Sequence, residues 1–250
     1  MLPLRDVNPT ARRPVVTVAL IAICVAVFVL VEPAGRVISW HQQAATSRQQ
    51  ADAEFTYRYA AVPCELVRQR PLTIADLQAG CQRRPVGAPV FPHKQIWLAV
   101  VVSMFLHASL LHIGGNMLFL WIFGNNVEDR LGRVRYAVFY LVAGVVATGA
   151  YVVSEPLSTA PLVGASGAIA AVMGAYLVWF PRAPIRTLIL VPPIVLWPRL
   201  PAWTLLVFWL ASQFFVSPGS GVAWVAHVGG FAFGALVAAA APGRAAARRR

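Results

Sequence analysis

Long runs without a charged residue constrain this sequence more than any other feature. Asp, Glu, Lys and Arg are missing from five segments, namely 14–31, 95–127, 136–154, 156–181 and 200–243. A bilayer core about 30 Å thick needs roughly 20 apolar residues of helix, so such runs predict membrane spans. The last run exceeds one span, and the turn-forming sequence SPGSG at 217–221 divides it. We therefore predict an all-α polytopic membrane protein, a bundle of six transmembrane helices.

Composition argues against a soluble nucleic-acid-binding protein, which the positive charge of the chain would otherwise suggest. The sequence carries 21 basic and 9 acidic residues, for a net charge of +12, yet only 12% of its residues are charged and 58% are hydrophobic. Soluble domains have roughly 25% charged and 45–50% apolar residues. We therefore predict a lipid bilayer as the surroundings of the chain and no nucleic-acid partner.

Arginines predict the orientation, because short cytoplasmic segments are enriched in them. The N-terminus, the turns near Arg130 and Arg182, and the C-terminal tail are basic, whereas the connections 155–161 and 217–221 have no Lys or Arg. We predict a multi-pass protein of the cell membrane with both termini in the cytoplasm. The expected parts are a cytoplasmic N-terminus (1–13), a first transmembrane helix retained as an anchor (14–31), an extracytoplasmic loop (32–94), a core with helices two to six (95–241) and a basic cytoplasmic tail (242–250).

The extracytoplasmic loop contains Cys64 and Cys81. Two cysteines in an oxidising compartment commonly pair, so a disulfide between them is the favoured hypothesis, with two free thiols as the alternative. A second doubtful segment is 187–198, which is short for a span and contains Pro192 and Pro193. We interpret this segment as a loop or an interfacial piece that leads into the fifth helix.

Polar side chains at membrane depth are costly, so each one needs a partner or a role. Ser166 and His227 follow the predicted outer connections by five or six residues, which places both roughly 8–9 Å below the outer boundary at ~1.5 Å per residue. His112 lies at a similar depth in span two, and Asn116 is one turn further on the same helix face. Three helices are thus predicted to bring polar groups to one layer. His107 would not share that face, and we interpret it as structural.

Small residues accompany the serine and the last histidine. Ala170 and Gly174 lie beneath Ser166 on its helix, and Gly230 and Gly234 follow His227 on its own helix. Because small faces let membrane helices approach closely, spans four and six are predicted to pack there and to bring the two side chains together.

If the serine and the histidine meet, they can act as nucleophile and general base. Spans four and six contain no Asp or Glu to orient the imidazole, so a catalytic dyad of Ser166 and His227 is predicted. Asn116, His112 and backbone N–H groups near Gly164 are candidate donors to a tetrahedral oxyanion. Singly, each residue has a plain alternative, such as a packing serine or a structural histidine. Zinc binding is disfavoured because the sequence has no HExxH motif.

These motifs closely resemble those of the rhomboid intramembrane serine proteases in their bacterial six-helix form. The matching sequences are HASLLHIGGN at 107–116, EDR at 128–130, GASG at 164–167 and AHVGGFAFG at 226–234. The resemblance implies a serine endopeptidase in which Ser166 is the nucleophile, His227 is the base, and His112 and Asn116 hold the oxyanion. It implies transmembrane protein substrates, cut near the outer membrane boundary, and neither a metal nor a nucleotide cofactor.

The sequence departs from the family pattern at one position, and the family also offers an alternative function. Some members of the family carry a tyrosine four residues after the serine, stacked on the histidine, whereas this chain has Ala170. That tyrosine therefore does not orient His227 in this chain. The alternative function is that of a non-catalytic rhomboid-like protein that binds membrane helices and assists folding or degradation. Inactive members typically lose the serine or the histidine, and this chain keeps both.

Overall fold

The structure is a computed structural model that describes residues 1–33, 45–191, 194–217 and 221–241. The predicted basic tail at 242–250 lies outside the described residues, as do Pro192, Pro193 and positions 218–220 of the predicted outer turn.

The described part of the chain is mostly helical. Its helices are α1 (Val15–Leu30), α2 (Ala45–Tyr59), α3 (Pro63–Arg68), α4 (Ile74–Ala79), α5 (Ile96–Val102), α6 (Leu110–Leu131), α7 (Arg133–Ser154), α8 (Ser166–Trp179), α9 (Ala202–Gln213) and α10 (Trp224–Ala240), with a 3₁₀ turn at Ser103–Phe105.

A small antiparallel sheet corrects the prediction of an all-α chain. Its strands are β1 (Leu2–Asp6), β2 (Pro184–Val191), β3 (Ile194–Leu196) and β4 (Arg199–Pro201). β2 pairs with β1, with β3 and with β4. The segment 187–198, predicted as a loop or interfacial piece, is therefore largely β-structure. The sequence reading missed it because β1, a partner of β2, comes from the other end of the chain.

The second uncharged run is not one helix. α5 and its 3₁₀ turn (together Ile96–Phe105) meet α6 at an angle of 79°. The Ser109 side chain accepts a hydrogen bond from the His112 N–H at 3.2 Å and thereby caps α6, as serine commonly does at an N-cap. α6 therefore begins at Leu110, directly after this cap.

α8 is the central helix of the fold. Every residue from Ala168 to Tyr176 is buried, and α8 packs against α6, α7, α9 and α10. It accounts for only part of the uncharged run 156–181, because the chain before Ser166 is largely non-helical. The fourth predicted span therefore combines an irregular entry with a short, enclosed helix.

Among the described residues, α7 is long and apolar enough to cross a bilayer, and the bent pair of 96–105 and 110–131 makes a second crossing if it counts as one broken span. Four further helices, α1, α8, α9 and α10, are apolar but shorter.

Glu128 joins α6 to α1. Its carboxylate accepts hydrogen bonds from the N–H groups of Val16 (2.9 Å) and Thr17 (2.8 Å) and from the Thr17 hydroxyl (2.8 Å). Pro14 at the N-cap of α1 has no side-chain acceptor, so Glu128 accepts from N–H groups that the helix leaves unpaired. The negative charge also lies at the favourable end of the α1 dipole.

The segment 45–94 forms a small helical unit closed by a disulfide between Cys64 and Cys81, whose Cα atoms are 5.8 Å apart. Inside this unit, the Arg70 guanidinium donates to the Asp76 carboxylate and holds the pKa of that carboxyl well below its usual range. The unit also contacts the chain that leads to α8, because the Leu162 N–H donates to the Ala61 carbonyl at 2.8 Å.

Candidate active site

Ser166 is the first residue of α8 and follows a sharp turn. Gly164, two residues earlier, has a φ of +117°. This backbone conformation would be strained in any residue that has a side chain. The first N–H groups of a helix have no acceptor within it, and the positive end of the helix dipole lies there. The serine hydroxyl therefore lies where developing negative charge is stabilised.

His227 lies in the first turn of α10 and faces this serine. Its Nε2 is 2.8 Å from the Ser166 Oγ. The structure thus brings together the two side chains that the sequence predicted to meet, although 61 residues separate them along the chain.

Close backbone packing between α8 and α10 brings the pair together. A Cβ atom on Gly230 would overlap the Gly167 carbonyl oxygen, and one on Gly234 would overlap the Ala171 carbonyl oxygen. A Cβ on Gly174 would overlap the carbonyl oxygen of Phe231. The prediction of small facing surfaces is confirmed, and the residues of α8 that lie against Gly230 and Gly234 are Gly167 and Ala171.

His112 and Asn116, both on α6, line the same cavity as the serine of α8. A Cβ atom built on Gly164 would be 2.8 Å from the His112 Nε2 and 3.7 Å from the Ser166 Oγ. The imidazole of His112 therefore borders the space next to the hydroxyl. Asn116 is buried, and one N–H of its side chain donates to the His112 carbonyl at 3.0 Å, which leaves the second for another acceptor.

Gly164 contributes to the site through its missing side chain. Its N–H, which was a candidate oxyanion donor, donates instead to the Ser103 carbonyl at 2.9 Å. The expectation of a Gly164 donor is therefore corrected. Any side chain at this position would fill the space between His112 and Ser166.

His107 lies outside α6 and is fully buried. Its backbone N–H donates to the Glu32 carboxylate, and its ring is 5.2 Å from the ring of His112. This position supports the structural interpretation of His107, behind His112 rather than beside the serine.

A cavity of about 1410 Å³ contains the serine and the histidine. His112, Asn116, Ser166 and His227 line it together with exposed residues such as Leu111, so it reaches the surface of the protein. A space of this size with polar groups on its wall can hold water. Within the described ranges, no three His, Cys, Asp or Glu side chains cluster as metal ligands do.

The sequence reading missed Gln213, the last residue of α9. Its Oε1 is 2.8 Å from the His227 Nδ1, on the opposite side of the ring from the serine. A carboxylate or an aromatic ring commonly orients a catalytic histidine, whereas this group is an amide. One signal was available, since Gln213 is the only amide residue in the uncharged run 200–243.

A short, enclosed helix thus holds a serine against a histidine on the wall of a cavity, and a pair of this kind is the one that serine hydrolases use. The rhomboid domain model matches residues 93–243, more than half of the chain. The chain belongs to the rhomboid family.

Curated relatives agree with this assignment. The rhomboid proteases GlpG of Yersinia pestis (strain Pestoides F) and Serratia proteamaculans (strain 568) are 36% and 34% identical to this chain over 147 and 146 residues, in each case 58% of this chain and 48% of the relative. Presenilin-associated rhomboid-like protein A, mitochondrial, of Danio rerio is 36% identical over 98 residues, 37% of this chain and 25% of the relative. The chain thus spans about half the length of the GlpG relatives it matches.

Proposed function

We propose that this protein is an intramembrane serine endopeptidase that cleaves transmembrane proteins near the outer membrane boundary with a dyad of Ser166 and His227. The observation that carries the proposal is the 2.8 Å contact between the Ser166 Oγ and the His227 Nε2 inside a cavity that reaches the surface. Membership of the rhomboid family supports the same activity.

In this mechanism, His227 accepts the hydroxyl proton at Nε2 while the Ser166 Oγ attacks the carbonyl carbon of the substrate. The oxyanion of the tetrahedral intermediate receives hydrogen bonds from the Asn116 amide, from an N–H of His112 and from the first-turn N–H groups of α8. His227 then gives its proton to the leaving amine. A water molecule in the cavity hydrolyses the acyl-enzyme by the same steps, with His227 again as the base.

The proposal includes six transmembrane helices, formed by α1, α6, α7, α8, α9 and α10, with both termini in the cytoplasm. The outer faces of α1, α7 and α9 expose apolar side chains such as Val25, Val138 and Phe208, as expected of a surface in contact with lipid. The short helix α8 fits this arrangement because non-helical backbone is tolerated at membrane depth where it lies within protein or lines a wet cavity.

Serine-directed labelling tests the proposed activity. A fluorophosphonate probe reacts only with a serine that a base activates, so we expect labelling of the wild type, none of Ser166→Ala and strongly reduced labelling of His227→Ala. Thermal unfolding of each purified protein in detergent shows whether it is folded. Equal labelling of all three proteins, or none of a folded wild type, would contradict proteolysis and favour the non-catalytic role of binding membrane helices.

Asn116→Ala tests the oxyanion role. We expect kcat to fall about 10²-fold, because a donor aimed at the oxyanion acts in the transition state, while KM changes little. Asn125→Ala is the matched control, since it makes the same change on α6 outside the residues that line the cavity. Turnover of Asn116→Ala equal to that of the control would remove Asn116 from the site.

A further inference from the structure

We propose that Gln213 is a positioning residue that holds His227 as the tautomer able to act as a base. The inference rests on the proposed peptidase function and adds the group that completes the dyad. It starts from one contact, in which the Gln213 Oε1 lies 2.8 Å from the His227 Nδ1.

The hydrogen bonds of Gln213 establish which end of its amide faces the histidine. The Nε2 group donates to the Trp209 carbonyl at 3.1 Å and lies 3.3 Å from the Ser212 Oγ. The Trp209 carbonyl can only accept, so the amide nitrogen must point toward it and the amide oxygen must point toward His227.

An amide oxygen has no hydrogen to give, so the His227 Nδ1 must carry the ring hydrogen. The Nε2 atom of the neutral ring then has a free lone pair and accepts the hydrogen bond of the Ser166 hydroxyl. The other tautomer would place a hydrogen on Nε2, where it could not take a proton from the serine. Gln213 therefore selects the reactive form of the ring.

Burial and a neighbouring aromatic ring support the hydrogen bond between the Gln213 Oε1 and the His227 Nδ1, and with it the preference for the Nδ1–H tautomer. Gln213 is 7% exposed, so little water competes for the hydrogen of Nδ1. The ring of Trp209, one turn earlier on α9, lies 5.8 Å from the ring of His227. α9 thus supplies both an acceptor and an aromatic wall for the imidazole, in a chain that has Ala170 where a stacking tyrosine would stand.

An amide also suits a buried position better than a carboxylate. It accepts the Nδ1 hydrogen without adding a charge that the apolar surroundings would penalise. The sequence of α9 and α10 contains no Asp or Glu, which agrees with orientation by a neutral group.

Nitrogen NMR of histidine-labelled protein reads the tautomer directly and needs no substrate. We expect the wild-type His227 ring to carry its hydrogen on Nδ1, and the Gln213→Met variant, which keeps the length of the side chain but removes the acceptor, to shift toward the Nε2–H form. The His227 signals are assigned as those missing from His227→Asn. An Nε2–H ring in the wild type, or an unchanged tautomer in Gln213→Met, would overturn the proposal.

Kinetics provide the second measurement. In Gln213→Met we expect kcat to fall about 10²-fold, a loss typical of impaired general-base catalysis, with little change in KM. Val207→Met, which introduces the same side chain on the exposed face of α9, should match the wild type. Full turnover in Gln213→Met would contradict the positioning role. A wild type with Nδ1–H but no peptidase activity would instead count against the proposed function alone.

Discussion

Ser166→Ala is expected to reduce the turnover of a transmembrane substrate by at least about 10⁴-fold, because the variant has no nucleophile to form the acyl-enzyme. His227→Ala should lose a comparable factor, since the hydroxyl is then left without a base. The two residues act as one unit, so the double variant should be no slower than either single variant. The measurement is cleavage of a fluorescent transmembrane substrate by each protein reconstituted in liposomes.

The control for this series is Ser158→Ala, which removes a hydroxyl that accepts from the Ala160 N–H at 3.2 Å and does not line the cavity. We expect wild-type turnover from it. If Ser166→Ala cleaved substrate at the wild-type rate, another group would have to be the nucleophile. If the losses in the two single variants multiplied in the double variant, the residues would act independently, and the dyad would be wrong.

Gly234→Ala is expected to lower the free energy of unfolding by about 3 kcal/mol, at the upper end of the usual cost of overpacking. The new methyl group would overlap the carbonyl oxygen of Ala171, a backbone atom that cannot turn aside as a flexible side chain can. α8 and α10 would have to separate, which also lengthens the contact between Ser166 and His227. Denaturant or thermal unfolding in detergent measures the first effect, and fluorophosphonate labelling measures the second.

Gly149→Ala is the matched control for the packing experiment. It makes the same change on α7, where a Cβ atom would meet no other atom within 4 Å. Stability should stay the same or rise by up to about 1 kcal/mol, because alanine favours helix more than glycine does. Equal stability of the two variants would show that the α8–α10 contact tolerates a wider separation than the structure indicates.

Much of the candidate site was predictable because polar residues are rare in apolar helices. Ser166, His112 and His227 were identified as polar residues within uncharged runs, and the glycines near His227 indicated a close helix contact. The roles of Gly164 and Gln213 were not predictable in the same way. Whether the Gly164 N–H is free depends on Ser103, which lies on a different element.

In the fold, too, some features are predictable from neighbouring residues and others depend on contacts between distant segments. The uncharged runs predicted the helical segments, because hydropathy and length are properties of neighbouring residues. The sheet depends on β1 pairing with β2, and the bend before α6 coincides with a hydrogen bond from His107 to Glu32. Pairings between distant segments leave no periodic pattern in either partner.

The sequence by itself determined the apolar class of the chain, the polar residue types of the candidate site and the small faces that let two helices approach. Only the tertiary structure decided which atoms touch: the Ser166 Oγ with the His227 Nε2, and the His227 Nδ1 with the amide oxygen of Gln213. The physical reason is the accuracy with which each one places an atom. A helix pattern places a side chain on a face, to within several ångströms, whereas a hydrogen bond forms only within a few tenths of an ångström of its ideal length. That accuracy comes from the packing of α8, α9 and α10 against one another.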